Sequence, residues 1–127
     1  MNNSPSTKIL VVDDSKTIRT KLEMILSRAG YEVITASDGQ EALAKMDEQP
    51  SLVVLDVNMP RLDGYGFCEK MKPRDEQIIP IVFLTSLKNK ALEFLGTEYG
   101  AYLQKPVDAN ELLGVVAEQL GKNELHV

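Results

Sequence analysis

Three short runs in this 127-residue chain are apolar at every position: Ile9-Leu10-Val11-Val12, Leu52-Val53-Val54-Leu55 and Ile81-Val82-Phe83-Leu84. A strand with one wet face alternates apolar and polar residues, whereas an unbroken run has both faces covered, as in a parallel sheet with helices above and below. Val33-Ile34 supplies a fourth, shorter candidate, and Ala101-Tyr102-Leu103-Gln104 a fifth.

Segments with helical periodicity separate these runs. Ile18, Leu22, Ile25, Leu26 and Ala29 fall on one stripe, with Ser15 placed as N-cap and Gly30 as the stop. Ala42, Leu43 and Met46 indicate a second helix, a short third lies between Tyr65 and Lys72 and is closed by Pro73, and Leu92, Leu95 and Tyr99 belong to a fourth. The fifth begins at Asp108, with Glu111 as the other half of a capping box, and is expected to end at Gly121. Strand and helix thus alternate five times, which specifies right-handed βαβ crossovers and an α/β sandwich. Ligands in such sheets bind outside the carboxyl ends of the strands, beside the switch in strand order.

Composition narrows the class. With 43% hydrophobic and 26% charged residues the chain reads as one globular domain, and a formal charge of -5 opposes a nucleic-acid footprint, which needs clustered Lys and Arg. The small basic groupings, Lys70 with Lys72 and Arg74, and Lys88 with Lys90, read as solvated helix faces. A single cysteine, Cys68, leaves no intrachain disulfide and suits a reducing compartment. The N-terminal "MNNSPSTK" lacks the apolar core of a signal peptide, and no apolar run approaches the ~20 residues of a membrane-spanning helix. The expectation is a cytoplasmic protein with no membrane contact.

The strand ends carry the chemistry. The first ends in Asp13-Asp14, the third in Asp56, the fourth in Thr85-Ser86 and the fifth in Lys105-Pro106. Each has an ordinary explanation taken alone: an Asp-Asp after a strand is commonly a turn and helix cap, and a Lys before Pro is commonly just exposed. Their joint placement on one sheet edge, with adjacent strands about 5 Å apart, favours a site. Two carboxylates about 4 Å apart repel by about 4 kcal/mol at an effective dielectric of about 20, so three call for a cation beyond Lys105. Hard oxygen donors with room for water and phosphate favour Mg2+. If the metal takes Asp13 and Asp14, Asp56 is left as a nucleophile able to form an acyl phosphate, with Lys105 and Thr85 to neutralise and bond the transferred group.

At this point the residues resemble a known family. The motifs "ILVVDDS", "SDGQEAL", "VVLDVNMPRLDGYGFC", "PIVFLTS" and "YLQKP" are similar, in content and order, to the receiver domain of two-component response regulators, particularly the single-domain chemotaxis type. The resemblance implies a flavodoxin-like doubly wound sheet of five parallel strands in the order 2-1-3-4-5 with five helices. It divides the chain into a disordered tail (1–7), a receiver domain (8–121) and a C-terminal tail (122–127). It also implies a role for each position. Asp14 binds Mg2+ directly and Asp13 mainly through water, the backbone carbonyl of Asn58 adds a third contact, and Asp56 is both ligand and phosphoacceptor. Thr85 is the switch hydroxyl, Lys105 the cation on the phosphoryl group, and Ser86 the small residue beside it. Met59-Pro60 and Asp63-Gly64 match the loop after the phosphorylation site, and Tyr102 the aromatic that rotates inward when Thr85 moves.

The implied activity is transfer of a phosphoryl group from a phosphohistidine on a sensor histidine kinase or phosphotransfer domain to Asp56, reset by hydrolysis. Such a protein is a signalling switch, not an enzyme acting on other substrates, and its output passes to a downstream protein through the face of the fourth helix, fifth strand and fifth helix. The chain's single histidine, His126, sits in the polar tail, so the donor is another protein. One departure stands out: the family commonly has two polar residues between the Gly-Ala closing the fourth helix and the strand aromatic, and here Gly100-Ala101 run straight into Tyr102. Two other readings compete. A haloacid-dehalogenase-type phosphatase wants a second Asp two residues after its nucleophile, where this chain has Asn58. A pseudo-receiver acting only as an interaction module usually lacks an acidic or Lys position, and here Asp13, Asp14, Asp56, Thr85 and Lys105 are all present.

Overall fold

The continuously apolar runs form the centre of a parallel sheet. The computed structural model describes residues 7–57, 79–86 and 100–124. Its strands are β1 (Lys8–Val12), β2 (Glu32–Ala36), β3 (Leu52–Asp56), β4 (Ile81–Thr85) and β5 (Gly100–Gln104). All neighbours pair in parallel, in the order β2-β1-β3-β4-β5. Among the described residues the helices are α1 (Lys16–Arg28), α2 (Gly39–Lys45) and the C-terminal α3 (Ala109–Glu124), with a 3-10 turn at Met46–Glu48. The expected helices within 65–72 and 92–99 lie outside the described residues. Among the described residues no helix is long and apolar enough to cross a membrane.

Alternation along each strand feeds two cores. Leu10, Val12, Val53, Leu55, Ile81 and Phe83 pack on the face that α2 covers through Ala42. Ile9, Val11, Leu52, Val54, Val82 and Leu84 pack on the other, against Leu22 and Leu26 of α1 and Leu112 and Val116 of α3. Both faces of β1, β3 and β4 are therefore dry, which is why their sequences do not alternate. The edge strand β2 is only half-buried through Val33–Thr35, and its sequence is correspondingly less apolar.

Local signals set the helix ends. Ser15 Oγ accepts the Ile18 N–H and Asp38 Oδ1 the Glu41 N–H, each satisfying a donor that has no partner within its helix. Gly30, at φ 101°, closes α1 while Gly30 N–H donates to Ser27 O and Tyr31 N–H to Leu26 O, a Schellman turn that favours glycine. Ala29, expected on the buried stripe, is the exposed C-cap. Asp108 caps α3 by accepting the Glu111 N–H. This helix does not stop at Gly121 but runs to Glu124, since a lone helical glycine costs only about 1 kcal/mol and does not by itself end a helix.

The short connection before Tyr102 is absorbed by the sheet. Gly100 and Ala101, expected to close the preceding helix, are instead the first two residues of β5, paired with Ile81 and Val82. A Cβ on Gly100 would run into the backbone oxygen of Ile81, so only glycine permits pairing to begin there. Gln119 of α3 donates to the Gly100 carbonyl at 3.5 Å and ties the strand start to the helix above it.

Candidate functional site

From β1 the chain passes through α1 to β2 on one side, then returns through α2 to β3 on the other side of β1. The carboxyl ends of β1 and β3 thus flank the reversal in strand order, where α/β sheets leave a crevice. Ladder hydrogen bonds continue one residue past the strands. Asp13 N–H donates to Ala36 O at 3.1 Å, Val57 N–H to Leu84 O at 3.0 Å and Lys105 N–H to Thr85 O at 2.7 Å. Asp13, Asp56, Thr85 and Lys105 are therefore held by backbone pairing, not carried on free loops.

Three carboxylates meet at this edge: one oxygen from each of Asp13, Asp14 and Asp56 lies within 4.8 Å of the others. Asp13 and Asp56 are buried, at 0% and 2% exposure, while Asp14 opens to solvent. The Lys105 Nζ, reaching over from β5, is 3.0 Å from Asp56 Oδ1 and 3.7 Å from Asp13 Oδ2. Thr85, at 1% exposure, ends the intervening strand β4, and Ser86 after it is exposed.

Charge is not balanced here. Burial pushes the Asp13 carboxyl above the ordinary carboxylate range, and the negative Asp56 and Asp14 push it the same way, against the Ser15 backbone hydrogen bond and Lys105. The Ser15 N–H donates to Asp13 Oδ1 at 2.9 Å, whereas the buried Oδ2 has no hydrogen-bond partner. A buried carboxylate oxygen whose one neighbouring cation among the described residues, Lys105, stands at 3.7 Å, on a residue clustered with two further carboxylates, belongs to the kind of donor set a hard divalent cation takes, and a cation there would offset the repulsion.

Each sequence-derived candidate within the described residues falls on this edge except Tyr102. Tyr102 lies in mid-β5, paired with Phe83, on the sheet face opposite Leu103, and is 37% exposed. Asn58, Met59, Pro60, Asp63 and Gly64 lie outside the described residues. Two contributors were not read from residue types. The Ser15 backbone N–H has no side-chain signature beyond the N-cap position itself. Arg19 donates to the Asp13 backbone oxygen at 2.8 Å. Its signal was available: helical side chains lean toward the N-terminus, so a long cation four residues after the N-cap folds back over the strand end.

Residues 9–117 match the response regulator receiver domain. A probable transcriptional regulator, ycf27, of Cyanophora paradoxa is 50% identical over 120 residues, 92% of this chain and 49% of that protein. Protein PilG of Pseudomonas aeruginosa is 41% identical over 117 residues, 89% of this chain and 87% of the other. The solved structure of Vibrio cholerae chemotaxis protein CheY4 superposes with a TM-score of 0.81 at 35% identity, covering 91% of this chain and 99% of that one. The chain spans about half the length of the ycf27 relative and most of PilG and CheY4. With the acidic cluster, Thr85 and Lys105 at the ends of a 2-1-3-4-5 parallel sheet, and the family match running through all of them, the chain belongs to the response regulator receiver domains of two-component signalling.

Proposed function

We propose that this chain is a phospho-accepting switch in which Asp56 receives a phosphoryl group from a phosphohistidine on a sensor histidine kinase or phosphotransfer domain. One observation carries the reading: the Lys105 ammonium stands 3.0 Å from a buried Asp56 that shares an edge with two further carboxylates. An oxygen of Asp56 attacks phosphorus, the new O–P bond forms as the P–N bond breaks, and the donor imidazole leaves. Thr85, at the end of β4, bonds a phosphoryl oxygen, and Lys105 offsets the charge of another.

The residues that would hold Mg2+ are Asp13, Asp14 and Asp56, to which the family resemblance adds the backbone carbonyl of Asn58, outside the described residues. When bound, Mg2+ neutralises charge on the phosphoryl oxygens and on the carboxylates. The burial of Asp13 and Asp56 excludes bulk water from the acyl phosphate until a positioned water attacks phosphorus, releasing inorganic phosphate and restoring Asp56. The chain catalyses only this self-modification and turns over no separate substrate. Its output passes to a protein partner through β5, α3 and the segment between β4 and β5, with Tyr102 responding to movement of Thr85.

Intact-mass measurement after incubation with Mg2+ and acetyl phosphate tests this. Wild type is expected to gain one phosphoryl group, and Asp56→Asn or removal of Mg2+ to abolish most of the gain. A wild-type chain that stays unmodified under conditions that label another receiver would leave an interaction module as the better reading.

A further inference from the structure

The Arg19 guanidinium comes back from the first turn of α1 to the backbone oxygen of Asp13, 2.8 Å away and partly buried. That oxygen belongs to the planar peptide joining Asp13 to Asp14, so fixing it fixes the plane from which the Asp14 side chain departs. The rest of Asp13 is already held: its N–H by Ala36 O, and Oδ1 by the Ser15 N–H. What this frame leaves over is Oδ2, buried, without a hydrogen-bond partner and 3.7 Å from Lys105 Nζ, on a residue that clusters with Asp14 and Asp56. Asp14 is exposed and, as a carboxylate beside two others, gains by turning away into water.

We infer that Arg19 is a positioning residue for the acidic pair, holding the Asp13–Asp14 peptide so that both carboxylates face Asp56, and thereby setting the affinity of the edge for Mg2+. The inference rests on the Mg2+-dependent reading above and names a residue outside its ligand set. Three roles for Arg19 predict different signs. A cation acting only by its charge repels Mg2+, so removing it tightens binding. A purely structural tie lowers the melting temperature and leaves Mg2+ affinity of the folded protein unchanged. A positioning residue loosens Mg2+ when removed.

The test is a Mg2+ titration of the full chain, followed by backbone amide NMR shifts at residues 13–15 and 56, at a temperature where melting curves show every variant folded. Arg19→Ala is expected to raise the Mg2+ dissociation constant about tenfold, the low end of what losing a partner that orients metal ligands does. Arg19→Lys, which keeps a donor and the charge, is expected to recover to within about threefold of wild type, with Arg19→Gln between them. Lys21→Ala, the same loss of charge from an exposed position on α1, is expected to stay within about twofold. In acetyl phosphate labelling, the Mg2+ concentration for half-maximal rate should shift by the same factor as the dissociation constant, and saturating Mg2+ should restore the rate. Unchanged or tighter Mg2+ binding in folded Arg19→Ala, beside a wild type that binds Mg2+ and labels at Asp56, removes this role and leaves the switch intact. A wild type that neither binds Mg2+ nor labels removes both. Should Arg19→Ala not fold, Arg19→Gln and Arg19→Lys decide by the same comparison.

Discussion

In β1, Leu10 and Val12 pack on one face and Ile9 and Val11 on the other, all without exposure, and one residue further on Asp13 is as buried but carries a carboxylate. β3 repeats the step from Leu55 to Asp56, and β4 passes from Leu84 to the neutral hydroxyl of Thr85. The backbone does not change at this step, since ladder hydrogen bonds continue through Asp13, Val57 and Lys105. Only side-chain chemistry does. The middles of the strands bury apolar area that stabilises the fold, while the ends of β1 and β3 bury charge that opposes it, so the rigid ladder of one region holds the repelling groups of the other in place. A site built this way keeps its geometry without a loop having to order around it.

Breaking the stabilising region should have the largest effect. Among the described residues Phe83 is the largest fully buried side chain, paired with Leu55 and Tyr102 on the neighbouring strands. Phe83→Ala is expected to lower unfolding free energy by about 3–5 kcal/mol, from lost transfer and the cavity left behind, read as a lower urea midpoint. Any substitution at the charged edge that costs as much would break the contrast between the regions.

The opposite end of the sheet gives an intermediate case. At Gly100 close backbone approach, and neither apolar area nor charge, limits the residue, because a Cβ meets the Ile81 backbone at the first pair of β4 and β5. Gly100→Ala is expected to cost about 1–3 kcal/mol in urea unfolding as the pair opens, with exchange protection falling first at residues 100–102. An unchanged midpoint would mean that the shortened connection does not depend on this approach.

These two positions show what residue types could and could not convey. The dry strands and the convergence of Asp13, Asp14, Asp56, Thr85 and Lys105 were legible in the residues, because runs such as "LVVLD" encode both two-sided burial and the point where it ends, while the strand order came only from the family resemblance. The Gly100-Ala101 pair was legible as an anomaly, but its resolution was not. Whether two residues leave a turn or join a strand depends on pairing energies with Ile81 and Val82 that no local pattern contains. The continuation of α3 past Gly121 has the same origin, since the packing of its buried face against the sheet outweighs one residue's propensity. Arg19 is legible only by its reach from four residues after the N-cap, since a cation on a helix otherwise reads as a solvated face and its acceptor is a backbone oxygen that no residue type marks.

The charged edge should respond least, and with the opposite sign. The Asp13 carboxyl is raised above its unfolded value of 3.8, first by burial and then by Asp56 and Asp14. Between the unfolded and folded values the native state binds the proton more tightly, so in the absence of Mg2+ this group's contribution to stability is fully present below the unfolded value. It is lost as pH rises through the folded value. Asp13→Asn keeps an oxygen for the Ser15 N–H and removes the charge, at the cost of the Lys105 attraction at 3.7 Å. At neutral pH without Mg2+ it is therefore expected to raise unfolding free energy by on the order of 1 kcal/mol, the net of like-charge repulsion relieved and ion pairing lost. The gain should shrink as pH is lowered through the raised value toward the ordinary carboxylate range, where wild-type Asp13 is itself neutral. Saturating Mg2+ should reverse the order, because a ligand that binds only the native state stabilises wild type more than a variant whose site has lost a carboxylate. Urea midpoints across pH, with and without Mg2+, read both effects. A variant less stable than wild type at neutral pH without Mg2+ would show that Lys105 already balances the cluster, and that the strand ends carry no net strain for a cation to relieve.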